Sequence, residues 1–139
     1  WTERIGPTAA LKTLEIMEQK KSWKIITQIG VDIKKRWQKL ADLHDLKIVH
    51  QGLPSLASFS IESKNAVAYK TLITQEMLAK GFLAGNSIYV CTEHTPEVLN
   101  EYFEVLDGIF KLVSECENGR DIKKLLKGEI CHTGFKRLN

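Results

Sequence analysis

Residues 47–63, KIVHQGLPSLASFSIES, are where the chain stops repeating every three to four residues and starts repeating every two. In SLASFSIES, Ala57, Phe59 and Ile61 alternate with Ser58, Ser60 and Glu62. Successive side chains of a strand point to opposite faces, so this spacing predicts a half-buried strand. KIVHQG just before it is made of β-type residues, and Gly52 and Pro54 punctuate the two segments. Upstream of this point everything reads as helix.

From Pro7 to about Glu18 the residues are strong helix formers, and Pro suits a first turn, where its missing N–H costs nothing. Leu11, Leu14 and Met17 form its apolar stripe, and Gln19, Lys20, Lys21 and Ser22 read as a short break. A second helix is expected from about Ser22 to Asp45. Its apolar face carries Ile26, Ile29, Ile33, Trp37, Leu40 and His44. Gly30 inside it costs about 1 kcal/mol relative to Ala, which points to close packing or a slight bend.

Downstream, a helix from about Asn65 to Lys80 carries Val67, Leu72, Ile73 and Met77, with Gly81 as its stop. FLAGNSIYVCT reads as strand, loop and strand. Thr95 and Pro96 are an N-cap and a first helical residue. The helix they open should run to about Glu117, with Val98, Tyr102, Val105, Ile109, Leu112 and Val113 inward. Asn118 and Gly119 end it, and a short helix around 121–126 and a polar tail follow. The order helix, helix, strand, strand, helix, strand, helix is α+β. It predicts a two-layer α/β sandwich: a small, mainly antiparallel sheet with helices on one face.

At 139 residues the chain can bury one core without staples, and 43% hydrophobic with 27% charged residues excludes a disordered chain. A net charge of only +3, with bases scattered among acids, argues against a nucleic-acid partner. Cys91, Cys116 and Cys131 are odd in number and far apart. With no signal peptide and no long apolar stretch, they read as reduced thiols in a cytoplasmic protein with no membrane association.

None of His44, His50, His94 and His132 is spaced from another ligand as a zinc site demands, so no metal is expected. His44 reads as a helix-end residue, where a charged ring suits the dipole. Cys131 and His132 resemble a catalytic dyad on paper, yet adjacent residues rarely present their side chains to each other. The lysine pairs 20–21, 34–35 and 123–124 read as solvated helix faces, and Trp23 and Trp37 as core anchors.

Two loops carry more information. TERIGP sets Thr2, Glu3 and Arg4 ahead of a helix start, where free N–H groups favour an anion; a plain helix cap is the alternative. In LAGNS, Asn86 and Ser87 interrupt an apolar run, as either a tight bulge or a pocket-facing polar loop.

The stretch TERIGPTAALKTLE resembles a segment of class-III pyridoxal-phosphate aminotransferases. There a Thr and two variable residues lead to Gly-Asn-Pro and an Ala-rich helix. Thr2 and Pro7 fall on matching positions, while Ile5 and Gly6 stand where Gly-Asn is usual. FLAGNSIYVCTEHTPEVLNEYFEVLDGIF is similar to the closing strand–helix unit of glutamate-1-semialdehyde 2,1-aminomutase and its relatives, with His94 and Thr95 at that family's His-Thr helix start. The similarity runs from the first loop to the last long helix.

The resemblance implies an aspartate-aminotransferase-type fold (fold type I) and the cofactor pyridoxal 5'-phosphate. Residues 1–45 would be an active-site loop and linking helices, and 46–139 the C-terminal small α/β domain. The chain would be the final third of a longer protein, as its start at Trp1 rather than Met also suggests. The Schiff-base lysine would lie upstream in a large N-terminal domain, so no catalytic residue is expected here, and the isolated fragment would be inactive. The family is dimeric, and its matching threonine contacts the cofactor phosphate bound mainly by the other subunit, which assigns Thr2 to cofactor binding. Glu3 and Arg4, as neighbours of that threonine, and Asn86 and Ser87, near the substrate-facing loop, are the expected contacts to a small-molecule amine or keto substrate. SLASFSIES holds no arginine for an α-carboxylate, unlike many aminotransferases of the class. The competing expectation is a stand-alone, non-catalytic α+β binding or interaction module.

Overall fold

The computed structural model describes residues 3–132 and Gly134. Four helices, α1 (Ile5–Lys20), α2 (Ser22–Leu43), α3 (Ala66–Ala79) and α4 (Pro96–Glu117), accompany three strands, β1 (Ile48–Gln51), β2 (Leu56–Ile61) and β3 (Ser87–Tyr89). A 3-10 turn follows at Ile122–Lys124. The strands form one antiparallel sheet in the order β1-β2-β3, so the α+β sandwich expected from the periodicities is the fold observed.

The register explains why β2 alternates. Ile48 opposes Ile61, His50 opposes Phe59, and Ala57 opposes Ile88, so these residues share the helix-facing side. Ala57, Phe59 and Ile61 are buried there, whereas Val49, Gln51, Ser87 and Tyr89 on the opposite side are exposed. Onto the buried side pack Ile33, Trp37 and Ala41 of α2, Leu72, Ile73 and Met77 of α3, and Leu106, Phe110 and Val113 of α4. The core therefore crosses residue 45: the second half of α2 belongs to it as fully as the sheet does.

Trp37 sits at the centre. Its ring lies 4.8 Å from that of Phe59, and its Nε1 donates to the Tyr102 hydroxyl at 3.0 Å. Gly30 is the close contact its position predicted: a Cβ there would stand 1.8 Å from the Pro54 carbonyl oxygen. The backbone between β1 and β2 thus lies directly against α2. Thr95 caps α4 as read, its Oγ1 accepting from Val98 N–H.

Several expectations change. FLAGN does not form a strand: Phe82 turns toward the core, Leu83 is 95% exposed, and only Ser87–Tyr89 pairs. Val98 is 44% exposed; in α4 the buried stripe instead runs Leu99, Tyr102, Phe103, Leu106, Ile109, Phe110 and Val113. At its start α4 turns Leu99, Tyr102 and Phe103 to the core, which leaves Val98 on the outer side. Trp23 is 41% exposed and anchors no core, since it precedes the part of α2 that reaches the sheet. Lys34 is more than a solvated lysine: half-buried, it donates to the Gly52 carbonyl at 2.6 Å and ties α2 to the end of β1. The α1 stripe of Leu11, Leu14 and Met17 is present as a helix face, yet no residue of α1 is buried.

Candidate functional site

The alternation of β2 also fixes where a site can form. Glu62 N–H donates to Lys47 O, so the N–H and C=O groups of Ser58 and Ser60 face β1, and those of Ala57, Phe59 and Ile61 face the β3 side. The β3 ladder ends at Asn86, which performs two functions: its carbonyl accepts from Phe59 N–H at 3.0 Å, and its side-chain Nδ2 donates to Phe59 O at 2.8 Å. The side-chain amide thus takes the place of the backbone N–H that would continue the ladder. Beyond this point β3 no longer flanks β2, and a cavity of about 240 Å³ opens.

Its walls include Ser60, Lys70, Asn86, Cys131 and His132. The segment carrying the last two residues is strapped to α3 by polar side chains. Gln75 donates to Leu125 O and accepts from Lys127 N–H, and Thr71 Oγ1 accepts from Cys131 N–H at 3.0 Å. The Cys131 thiol lies 3.9 Å from Val67 O, and no bond joins it to His132 among the described residues. Among the described residues the pocket offers one ammonium, one amide, one hydroxyl, one thiol and one imidazole. That set can hold a small anionic or carbonyl oxygen, but it contains no activated nucleophile. Gln75 and Thr71 were missed in the sequence because their role depends on residues some 50 to 60 positions away.

The expected site residues fall in three places. Asn86 lines this cavity, while Ser87 lines a separate groove with Leu83 and Tyr89. The two adjacent residues thus line different depressions. Glu3 and Arg4 lie at the start of α1. The Glu3 carboxylate accepts from Gly6 N–H at 3.3 Å, and Arg4 is the N-cap residue without a side-chain cap bond. A 16-residue helix is about 24 Å long, and it is the other end of α1, around Thr13 to Lys20, that faces Cys91 and Thr92. Glu3 and Arg4 are therefore not part of the Asn86 cavity. Thr2, the expected cofactor contact, lies outside the described residues.

The remaining histidines are engaged in the fold. His44 closes α2 and pairs through Nε2 with Asp107 of α4 at 2.6 Å. His50 bonds Gln38 and stacks on Trp37, leaving its Nδ1 buried without a partner among the described residues; burial and nearby Lys34 pull its pKa down. His94 Nδ1 accepts from Cys91 N–H at 3.0 Å. Among the described residues no group of three or more His, Cys, Asp or Glu could hold a metal ion, and no helix is long and apolar enough to cross a membrane.

A comparison of the whole architecture narrows the reading. The fold is similar to that of a solved protein described as the pyridoxal-phosphate internal aldimine form of Sphingopyxis sp. MTA144 FumI protein. The TM-score is 0.68 at 15% identity, over 85% of this chain. At that identity the likeness establishes the fold alone. The chain spans 29% of that protein's chain. No protein-family model and no curated protein matches the sequence.

Proposed function

We propose that this chain is the C-terminal portion of a pyridoxal-phosphate enzyme of the class-III aminotransferase or aminomutase type, similar to glutamate-1-semialdehyde aminomutases. The observation that carries the reading is the shared architecture with a pyridoxal-phosphate protein of which this chain spans 29%. The resemblance of TERIGP and FLAGNSIYVCTEHTPE to that class points the same way.

The start of α1 is chemically suited to a phosphate oxygen. Gly6 N–H already holds an oxyanion, the Glu3 carboxylate, and Arg4 stands beside it. Thr2 and Gly6 N–H are the groups that would hold the phosphate, and Glu3, once displaced from Gly6, and Arg4 would contact the substrate. Bound pyridoxal phosphate supplies an electron sink for substrate chemistry; the lysine that carries it would lie in a preceding large domain. This chain's share is to anchor, orient and exclude water. In this role it forms one wall of the site for a small amine or keto substrate, and Asn86 holds the end of β2 in place beside a cavity suited to a carbonyl or carboxylate oxygen.

An unburied α1 fits the same reading. Leu11 and Leu14 are 70% and 62% exposed, an apolar face that a large domain or the second subunit of a homodimer would cover. A cytoplasmic location belongs to this proposal as well.

The test is to express the reading frame containing this chain together with any upstream coding sequence, and to titrate it with pyridoxal phosphate. The expected result is a visible cofactor absorbance that disappears when one upstream lysine is replaced. A frame that supplies no such lysine, or full-length protein that stays colourless, overturns the proposal in favour of a non-catalytic module.

A further inference from the structure

Two depressions distinct from the Asn86 cavity share part of their lining. One, about 520 Å³, lies between α2 and the residues leading into α4; the other, about 340 Å³, runs along the outer edge of β3. His94 and Leu99 line both, so the two are one continuous surface. Each volume lies in the range of small-molecule sites, roughly 300–1,000 Å³.

Their chemistries differ sharply. The first is cationic: Lys35, Arg36 and Lys39 of α2 line it against a single acid, Asp32, which is already bonded by Gln28. Among the described residues none of the three cations is in an ion pair. Arg36 is held in place from below, its guanidinium 4.0 Å over the Phe103 ring, which leaves its donor edge for a ligand. On the facing wall, His94 Nδ1 is occupied by Cys91 N–H, so a neutral ring carries its proton on Nε2 and is a donor. The second depression is apolar, with Phe82, Leu83, Tyr89 and Val98 along it; Leu83, Tyr89 and Val98 are 95%, 79% and 44% exposed.

We propose that this surface binds an amphipathic anion: a carboxylate or phosphate head at Lys35, Arg36 and Lys39, with an alkyl or aryl tail along the β3 edge. Charge complementarity selects the head, since unpaired cations on one wall and an imidazole N–H on the other all favour the same sign. The contiguous apolar groove selects a tail over a free inorganic ion, because its exposed Leu83 and Tyr89 gain by removal from water.

The experiment is two-dimensional amide NMR on the 139-residue chain, titrated with dodecanoate, dodecyl phosphate, acetate, inorganic phosphate and the neutral dodecyl maltoside, all below their micelle concentrations. Expected are shifts at residues 35–39, 82–89 and 94–99 with both long-chain anions, and binding at least about tenfold weaker with the short anions and the neutral amphiphile. Arg36→Gln and, because it leaves the Phe103 contact intact, Lys39→Gln should each weaken dodecanoate by roughly three- to tenfold. Leu83→Ser, at a position too exposed to affect folding, should weaken the long-chain ligands alone. Dodecanoate and dodecyl phosphate binding alike assigns the shared anionic head; a preference for one identifies it. Equal binding of the neutral amphiphile overturns the proposal. So do unchanged affinities in Arg36→Gln and Lys39→Gln, or an equal loss in the distant control Lys12→Gln.

Discussion

Trp37 and Tyr102, 65 residues apart, meet in the core with the indole N–H donating to the phenol oxygen at 3.0 Å. This bond joins α2 to α4 on the helical side of the sheet and lets both side chains be buried without an orphaned polar atom. Burial also pushes the Tyr102 hydroxyl well above the usual tyrosine range, so it stays protonated. Tyr102→Phe keeps the ring but removes the acceptor. It should cost about 1–3 kcal/mol in urea unfolding, the penalty of a buried donor left unpaired. A loss below a few tenths would mean that water reaches Nε1.

Gly30→Ala separates two opposing effects. Helix propensity favours Ala by about 1 kcal/mol, but the new Cβ would lie 1.8 Å from Pro54 O, a backbone atom that cannot rotate away. Overpacking of this kind costs about 1–3 kcal/mol, toward the upper end where backbone must move. A net destabilisation of about 2 kcal/mol is expected, read as a lower urea midpoint. A stabilised variant would show that the α2 approach is looser than described.

Asn86 is expected to tolerate Ala better than Asp. Ala removes the donor to Phe59 O at a cost of about 1 kcal/mol. Asp adds an acceptor facing an acceptor, and should cost more while retaining the side-chain shape. Hydrogen exchange at Ala57 and Phe59 should speed up in both, and fastest in Asn86→Asp.

His50 makes stability sensitive to mild acid. Burial first, and Lys34 second, lower its pKa from the ordinary 6.5, and protonation would place a second N–H on the unpartnered Nδ1. The unfolded chain therefore binds this proton more readily than the folded one. Stability is full above pH 6.5 and falls as pH drops from there to the folded pKa. Thermal midpoints should decline across that window, and His50→Leu should flatten the decline.

Tyr69 and Glu117 set limits at both extremes. Desolvation first, and its bond to Glu117 second, push the Tyr69 hydroxyl up to about 12, so stability falls as pH rises from 10 toward 12. The same bond first, with that from Ser63, lowers the Glu117 pKa; its contribution is present above 4.5 and is lost as pH falls through the folded value. Tyr69→Phe should weaken both the alkaline and the acid declines, leaving the alkaline loss due to Tyr102, both measured as pH profiles of the thermal midpoint.

Much of this architecture is present in local patterns. The alternation from Ala57 to Ile61, the Thr95–Pro96 start and the Gly30 contact were all readable, because each depends on side-chain period or on one residue's special geometry. The errors came where a neighbour decided the outcome. Val98 lies outside because α4 packs Leu99, Tyr102 and Phe103 onto the core instead, and FLAGN is no strand because Asn86 ends the ladder with its own side chain. For the site, Asn86 lines the cavity beside Phe59 and Ser87 lines a separate groove, a division that the pair's adjacency in sequence does not reveal. The straps from Gln75 and Thr71 gave no local signal at all.

Period and punctuation were enough to define the order of the main elements and the buried faces of β2 and the second half of α2, since these depend on backbone geometry within a few residues. Which faces meet was settled only in three dimensions. The pairing of Trp37 with Tyr102, the cavity beside Phe59, the cations gathered opposite His94 and the unburied face of α1 all depend on residues that sequence distance keeps apart. Hydrophobic burial is non-directional: it dictates that a face will be covered, and the packing of the whole chain chooses what covers it.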